Sequence, residues 1–428
     1  MLWRVVYCLA TWLVLPLVFG YFAWRGRREP AYRENLGERL GRIGPVPHGA
    51  IWIHAASVGE VVLVAPLVEA LERRFPQCPL LITTMTPTGR ERAFKRFGDR
   101  VSIRYVPLDT PGATRRFIAQ ATPRIGILVE TELWPNLIAA AERGGVPLAL
   151  VNASVSRASA ARYARWPLKN ATRFMLARVR AIGAASDAHA GRFVCLGAPD
   201  DRVEATGNLK YDAPDDPDTE TMGARLRSQW QAADRSIWVA ASTHDGEEEI
   251  LLQAFERLRS RECGGLLVIA PRHPQRFDAV AALLASSPWS IARRSVGDTV
   301  TESTDIVLAD TLGEVPMFYA AADVVFVGGS LVPGIGGHNV IEPAALGRPF
   351  CVGPYIEEWQ DIVDGLVECG AAHVCRTPAK LADASGFWGV DRERARAAGA
   401  AGRTHVRAQA GALERSMAMI ERVLSTGR

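Results

Sequence analysis

"AIWIHAASVGEVVLVAPLVEALERRF", residues 50–75, decides how this chain folds. It begins with a near-continuous apolar run, as expected of a strand buried on both faces. The small residues from Ala55 to Gly59 permit a tight turn, and Glu60 then opens a helix whose apolar period runs to Phe75. A buried strand, a short turn and an amphipathic helix make the repeating half of a parallel sheet.

The alternation recurs outward from this stretch. "PLLITT" (79–84), "VSIRYV" (101–106), "RIGILV" (124–129), "PLALVN" (147–152) and "AIGAAS" (181–186) read as further strands between helical segments. This is a Rossmann-like unit. The pattern breaks at residues 210–228, "KYDAPDDPDTETMGARLRS", whose acidic, Pro-rich composition reads as a linker. It resumes with "SIWVAAS" (236–242), "GGLLVIAP" (264–271), "DIVLAD" (305–310), "DVVFVGGS" (323–330) and "RPFCVGP" (348–354), and ends in a long Ala- and Arg-rich helix from about Asp391. The fold class is therefore α/β, with two doubly wound domains facing a cleft. Residues 29–209 form the first, 210–228 the linker and 229–428 the second with its C-terminal helix. At 428 residues the chain has the length for this, at roughly 150 residues per domain.

Charge and cysteines narrow the class. The net charge of +4 lies wholly in residues 1–50, so the rest sums to zero and nothing suggests nucleic acid. Seven scattered cysteines without a CxxC suggest neither a disulfide framework nor a zinc site. Val5–Trp24 is a run of 20 uncharged residues followed by Arg25, Arg27 and Arg28. That length suits a membrane anchor, residues 1–28, and the following arginines place the bulk of the chain on the cytoplasmic side. A signal peptide is the rival reading, but no small-residue cleavage site follows. The basic stretch from Arg25 to Arg42 can meet anionic head groups, and "TTMTPTGRERAFKRF" (83–97) can add a second basic patch.

In doubly wound sheets ligands bind at the carboxyl ends of the strands, so chemistry is sought in those loops. Glu60 sits at a helix start, where the dipole favours its ionised form; this is a common structural placement and equally suits a proton acceptor. "LVETELWPN" (128–136) puts Glu130 and Glu132 at the same rim, pointing the same way if the segment is extended. Trp134 beside them reads as core. "VEATGNLKYD" brings Gly207, Asn208 and Lys210 to the end of a short strand. A lone lysine is usually a solvated charge, but at the mouth of the cleft Lys210 suits an anionic group. "VIAPRHPQRF" ends a strand with Pro271 and Arg272, whose planar fork suits phosphate, beside His273. Gly313 and Glu314 stand at another helix start. "GGSLVPGIGGHNVIEPAALGRP" (328–349) leads through Gly336 and Gly337 to a helix start at Asn339, offering backbone donors for a phosphate, with Glu342 one turn in. It is neither a P-loop nor a dinucleotide fingerprint. No metal motif appears, and no metal or cofactor is expected.

Together these loops resemble those of bacterial 3-deoxy-D-manno-octulosonic acid (Kdo) transferases. The likeness runs through the apolar anchor and "RGRREPAYRENLGERLG", then "SVGE", "TTMTPTGRERA", "ETELWPN", "TGNLKYD", "APRHPQRF", "DTLGE" and "GGHNVIEPAALGRP". It implies a GT-B glycosyltransferase fold, with an acceptor domain and a CMP-Kdo-binding domain. It also implies inverting transfer of Kdo to a lipid A precursor, lipid IVA, at the inner membrane. By the same resemblance Glu60 falls on the proton acceptor, and Glu130 and Lys210 on transition-state stabilisers. Pro271, Arg272, Leu312, Gly313, Glu314, Asn339, Val340, Ile341 and Glu342 fall on CMP-binding positions. A sugar-nucleotide epimerase, another membrane-surface glycosyltransferase and a non-catalytic lipid-binding protein remain alternatives, since fold alone does not fix function.

Overall fold

Strands that are apolar on both faces need helices on both sides, and the computed structural model supplies them. It describes residues 2–212, 218–261, 265–357 and 359–426. Two compact units form, Met1–Asp212 with Ala410–Arg428, and Ala213–Gln409.

The first unit holds β1 (Ile51–His54), β2 (Leu80–Thr84), β3 (Ser102–Tyr105), β4 (Ile125–Val129), β5 (Leu148–Ala153), β6 (Ala181–Ala184) and β7 (Val203–Ala205). All pair in parallel, in the order β3-β2-β1-β4-β5-β6-β7. Winding runs from β1 to β3, then restarts on the other side of β1 with β4. The carboxyl ends of β1 and β4 therefore flank the switch point, where such sheets take their ligands. β1 shows why the sheet needs two covers: Trp52 belongs to one apolar cluster, Ile51 and Ile53 to another. Gly126 of β4 makes room for the indole, since a Cβ there would come within 2.7 Å of Trp52.

The second unit repeats the plan with β8 (Ile237–Thr243), β9 (Leu266–Pro271), β10 (Ile291–Arg293), β11 (Ile306–Leu308), β12 (Val324–Val327), β13 (Phe350–Val352) and β14 (Ala372–Val374). Their order is β10-β11-β9-β8-β12-β13-β14, again all parallel, so the switch point lies between β8 and β12. Trp238 and Ala240 of β8 pack with Leu251 and Phe255 of the helix Glu247–Arg259.

Two segments differ from the sequence reading. Within the stretch read as a linker, residues 213–217 lie outside the described residues, and Asp218–Gln229 is a helix with Thr219, Gly223 and Leu226 buried. Its opening acids, Asp218 and Glu220, are helix-start signals rather than linker composition. Gly223 lets it approach the helix Val315–Ala321 so closely that a Cβ would lie 2.6 Å from Ala320. The long C-terminal helix is in fact two, Arg392–Gln409 and Ala412–Thr426, divided at Gly411, whose φ is 89°. The second of them belongs to the first unit. Asp212 accepts hydrogen bonds from the Gly411 N–H at 2.6 Å and the Leu413 N–H at 2.5 Å, and Met419, Ile420 and Val423 enter the cluster of Ile51 and Ile53.

Leu2–Arg25 is one helix, with Pro16 inside it. An 18-residue window within it has a mean hydropathy of 2.0, and the helix is long enough to cross a membrane. One side docks on the first unit: Tyr7 donates to Asp109 at 2.8 Å, Cys8 to Asn136 at 3.3 Å, and Trp3 meets Phe174 edge-on. Val6, Leu9, Leu13 and Leu17 are exposed.

Candidate functional site

The turn after β1 is a reciprocal cap. Ser57 Oγ accepts the Glu60 N–H at 3.3 Å and donates to Glu60 Oε1 at 3.0 Å, while Glu60 Oε2 accepts the Ala56 N–H at 2.8 Å. This is a variant of the capping box that S-x-x-E encodes, with the return bond to Ala56, one residue before the N-cap Ser57, and it starts the helix Val58–Leu63. The turn is held from β2 as well: Met85 N–H donates to the Ala56 carbonyl at 2.9 Å, and Gly89 packs against Ser57. Glu60 is 9% exposed. Burial pushes its carboxyl up to about 7; the Ala56 N–H and His54 pull it down, while Glu132 and Glu130 push it further up. The expectation of a carboxylate kept ionised by its helix start is thus corrected, because desolvation and two neighbouring acids outweigh the local donors.

Those acids follow β4. Glu130 has a φ of 55°, so the segment is not extended as expected, and its N–H donates to the Val151 carbonyl at 2.9 Å. Glu132 accepts the Trp134 indole N–H at 2.7 Å, and its Oε2 lies 3.7 Å from Nε2 of His54. Burial acts to raise the Glu132 carboxyl, but His54 and the Trp134 N–H together hold it below its ordinary value. Trp134 is therefore a ligand of a carboxylate as well as a packing residue.

Lys210 reaches the same edge of the sheet through two asparagines. Asn152, at the bulged end of β5 with a φ of 52°, accepts the Leu209 N–H at 2.8 Å, and Asn208 accepts the Lys210 N–H at 3.0 Å. Gly207 N–H donates to Ala184 at the end of β6. The loops after β1, β4 and β7 thus bring Glu60, Glu130, Glu132 and Lys210 to the carboxyl edge of the first sheet.

In the second unit the switch point is organised by a residue the sequence did not single out. Glu247, fully buried after β8, accepts the N–H groups of His244, Gly329, Ser330 and Leu331 at 2.8–3.0 Å. It ties the loop after β8 to the loop after β12. Glu248 accepts the Thr243 hydroxyl and two N–H groups of Arg276. Pro271 closes β9, and the exposed Arg272 follows with its N–H on the Thr243 carbonyl at 3.0 Å. Nε2 of His244 lies 2.8 Å from Nε2 of His338, and the His244 ring meets that of His273 edge-on at 5.2 Å. Burial, with His244, Arg272 and His273 nearby, pushes His338 down to about 4, and burial lowers His244 as well. Reading "THDGEEEI" as the loop after β8 would have flagged His244 and Glu247.

Leu312 is exposed beside an open hollow that Phe277, Arg294, Ser295, Thr311 and Glu314 also line. Gly313 turns there with a φ of 82°. Glu314 is engaged by Arg294 through two contacts of 2.6 Å, which hold its carboxyl below the usual range. The helix expected from Asn339 begins at Ile341, after Val340. Asn339 Oδ1 accepts the Ile341 N–H at 3.0 Å, its Nδ2 donates to Glu342 at 2.9 Å, and Gly337 N–H donates to the Gly329 carbonyl. Several of the donors expected to await a phosphate are thus already engaged. Burial raises the Glu342 carboxyl, partly offset by Asn339.

The basic stretches are less available than their composition suggests. Arg39 lies buried between the rings of Phe22 and Tyr105, Arg33 donates to the Ala23 carbonyl and Arg25 pairs with Glu29. Of the "GRERAFKRF" charges, Arg90 pairs with Glu38, Lys95 with Glu91 and Arg96 with Glu69.

Residues 34–213 match the family model described as 3-deoxy-D-manno-octulosonic-acid transferase (kdotransferase). The chain is 39% identical to the 3-deoxy-D-manno-octulosonic acid transferase of Haemophilus influenzae over 86% of each chain. It is 38% identical to that of Bordetella pertussis over 98% of this chain and 99% of the other. The fold is shared with MurG of Acinetobacter baumannii, with a TM-score of 0.58 at 15% identity, covering 88% of this chain and 100% of that one.

Proposed function

The chain belongs to the 3-deoxy-D-manno-octulosonic acid (Kdo) transferase family, and from that premise we propose that it moves Kdo from CMP-Kdo to lipid IVA at the cytoplasmic face of the inner membrane. The fold is that of GT-B glycosyltransferases, and the activity is Kdo transfer. Donor, acceptor, stereochemistry and membrane side are our reading.

The observation that carries the mechanism is Glu60, a buried carboxylate at the switch point of the first sheet with a proton affinity near neutrality. In the proposed inverting displacement a sugar hydroxyl of the acceptor attacks the anomeric carbon of Kdo. The bond from that carbon to the CMP phosphate oxygen breaks, its electron pair leaves with CMP, and the hydroxyl proton passes to Glu60. A positioned base of this kind is worth roughly 10²–10⁴ in rate. Glu60 serves only when ionised, so it works best above about pH 7. Glu130 complements the positive charge that grows on the Kdo ring, and Lys210 meets the phosphate as it departs. On the second unit Pro271 and Arg272, the Leu312–Glu314 turn and Asn339–Glu342 hold CMP. Arg272 supplies charge, Gly313 lets the backbone approach, and Glu342 takes a ribose hydroxyl.

The N-terminal helix Leu2–Arg25 attaches the enzyme to the membrane, with Arg27 and Arg28 facing anionic lipid head groups. Incubation with CMP-Kdo and lipid IVA, followed by mass spectrometry of the lipid, tests the reading and counts the Kdo units added. Glu60→Gln is expected to abolish transfer and keep CMP binding. An unchanged lipid mass with wild-type protein would sink the proposal.

A further inference from the structure

His54 takes no part in the transfer just described, yet its placement is specific. It is the last residue of β1 and is fully buried. Its Nδ1 lies 3.1 Å from the Thr83 carbonyl oxygen and 3.0 Å from Thr83 Oγ1, which also accepts the Trp52 indole N–H at 2.8 Å. A carbonyl oxygen only accepts, so Nδ1 carries a hydrogen. That leaves Nε2 as the nitrogen turned toward Glu132.

Among the described residues Nε2 has no hydrogen-bond partner, and it faces Oε2 of Glu132 at 3.7 Å. A bare lone pair aimed at a carboxylate is repulsive, whereas a proton on Nε2 turns the contact into an ion pair. A histidine buried only for packing would have no reason to aim an unpartnered nitrogen at an acid. Glu132 in turn is fixed by Trp134 and acts on Glu60.

We propose that His54 is a positioning residue for Kdo transfer: its Nε2–H holds Glu132 ionised and in place, and the His54–Glu132 pair tunes the proton affinity of the base Glu60. This rests on reading Glu60 as the base. The charged groups that act on Glu60 are His54 on β1 and Glu130 and Glu132 after β4. On its own turn the Ala56 N–H and the Ser57 hydroxyl bind it. On the helix Pro87–Phe97, which packs against this turn, Arg90 is engaged with Glu38. The two members of the pair act with opposite sign: the imidazolium favours ionised Glu60, and the Glu132 carboxylate opposes it.

The test is the pH profile of kcat/KM for Kdo transfer in wild type, Glu60→Gln, Glu132→Gln and His54→Gln. Removing the Glu132 charge should move the acid limb down, and removing the His54 charge should move it up, each by about one unit or less, where one unit is a tenfold change in proton affinity. At pH 6, relative to its own plateau, Glu132→Gln should then be more active than wild type and His54→Gln less. Equal loss at every pH in both variants, with the limb unmoved, would make His54 a packing residue and overturn the proposal. If His54→Gln does not fold, His54→Asn, which keeps an N–H donor for the Thr83 carbonyl and lacks the charge, is read in its place, and an unmoved acid limb there overturns the proposal. Persistent transfer in Glu60→Gln would instead overturn the base itself, a separate failure.

Discussion

A carboxylate that takes a proton from an alcohol works best when its proton affinity is close to that of the working medium, and Glu60 reaches this by burial rather than by a positive neighbour. Burial has a price in stability. The folded carboxyl titrates at about 7 against an ordinary 4.5, so between those values the native state binds more protons than the unfolded chain. Stability therefore falls as pH rises through this window, the reverse of a salt-bridged acid. The penalty is absent below about pH 4.5 and complete above about 7, reaching ~3 kcal/mol at most. Glu60→Gln, which keeps an acceptor for the Ala56 N–H, should therefore melt higher than wild type at pH 8 and alike at pH 5, while losing transfer. Thermal unfolding at both pH values checks this, and an equal melting point at pH 8 would show that Glu60 is not strained by ionisation. At this scale the sequence disclosed the residue but not its state. "SVGE" reads as a helix cap from its spacing, whereas the proton affinity depends on Glu132 and His54, which the fold brings in from elsewhere.

Elements matter because they aim these groups. Lys210 lies on a one-turn 3-10 segment, Leu209–Asp212, too short to hold a position unaided. Asn152 supplies the anchor by accepting the Leu209 N–H, and it does so from a left-handed backbone that suits asparagine. Asn152→Ala leaves that N–H without its acceptor, at about 1–3 kcal/mol, and forces alanine into the left-handed region, at about 1–2 kcal/mol more. We expect transfer to drop at least tenfold with the acid limb of the pH profile unmoved, and Asn152→Asp, which retains the acceptor, to restore most of it. Equal kcat in Asn152→Ala and wild type would remove Asn152 from the support of Lys210. Long elements were readable because apolar runs and helix periods repeat often enough to be seen. β10, "IAR", and β14, "AHV", were not, since neither carries the apolar run that disclosed the equally short β11 and β13. The loops were placed correctly at strand ends but not their internal bonding: Glu130 is left-handed rather than extended, and the helix near Asn339 starts two residues late.

Over the whole molecule, the chain leaves the first unit at Asp212 and re-enters it at Ala410, so the unit carrying Glu60 is completed only by the last segment of sequence. No local pattern announces this, because an amphipathic helix records that it has an apolar face and not which sheet will cover it. Ile420 makes the dependence measurable. It is fully buried in the cluster that includes Ile53, Val61 and Leu67, the residues beneath and beyond the Glu60 turn. Ile420→Ala removes packing there at a cost of roughly 2–5 kcal/mol. In a unit of this size that lowers the melting point by roughly 5–15 °C. The loss should fall on one unit: transfer should inactivate at the lower temperature, while CMP binding by the unit that holds Arg272 and Asn339 persists to the wild-type temperature. Calorimetry with and without CMP separates the two. If CMP binding and transfer fail together in Ile420→Ala, the units do not unfold independently, and the last helix supports both.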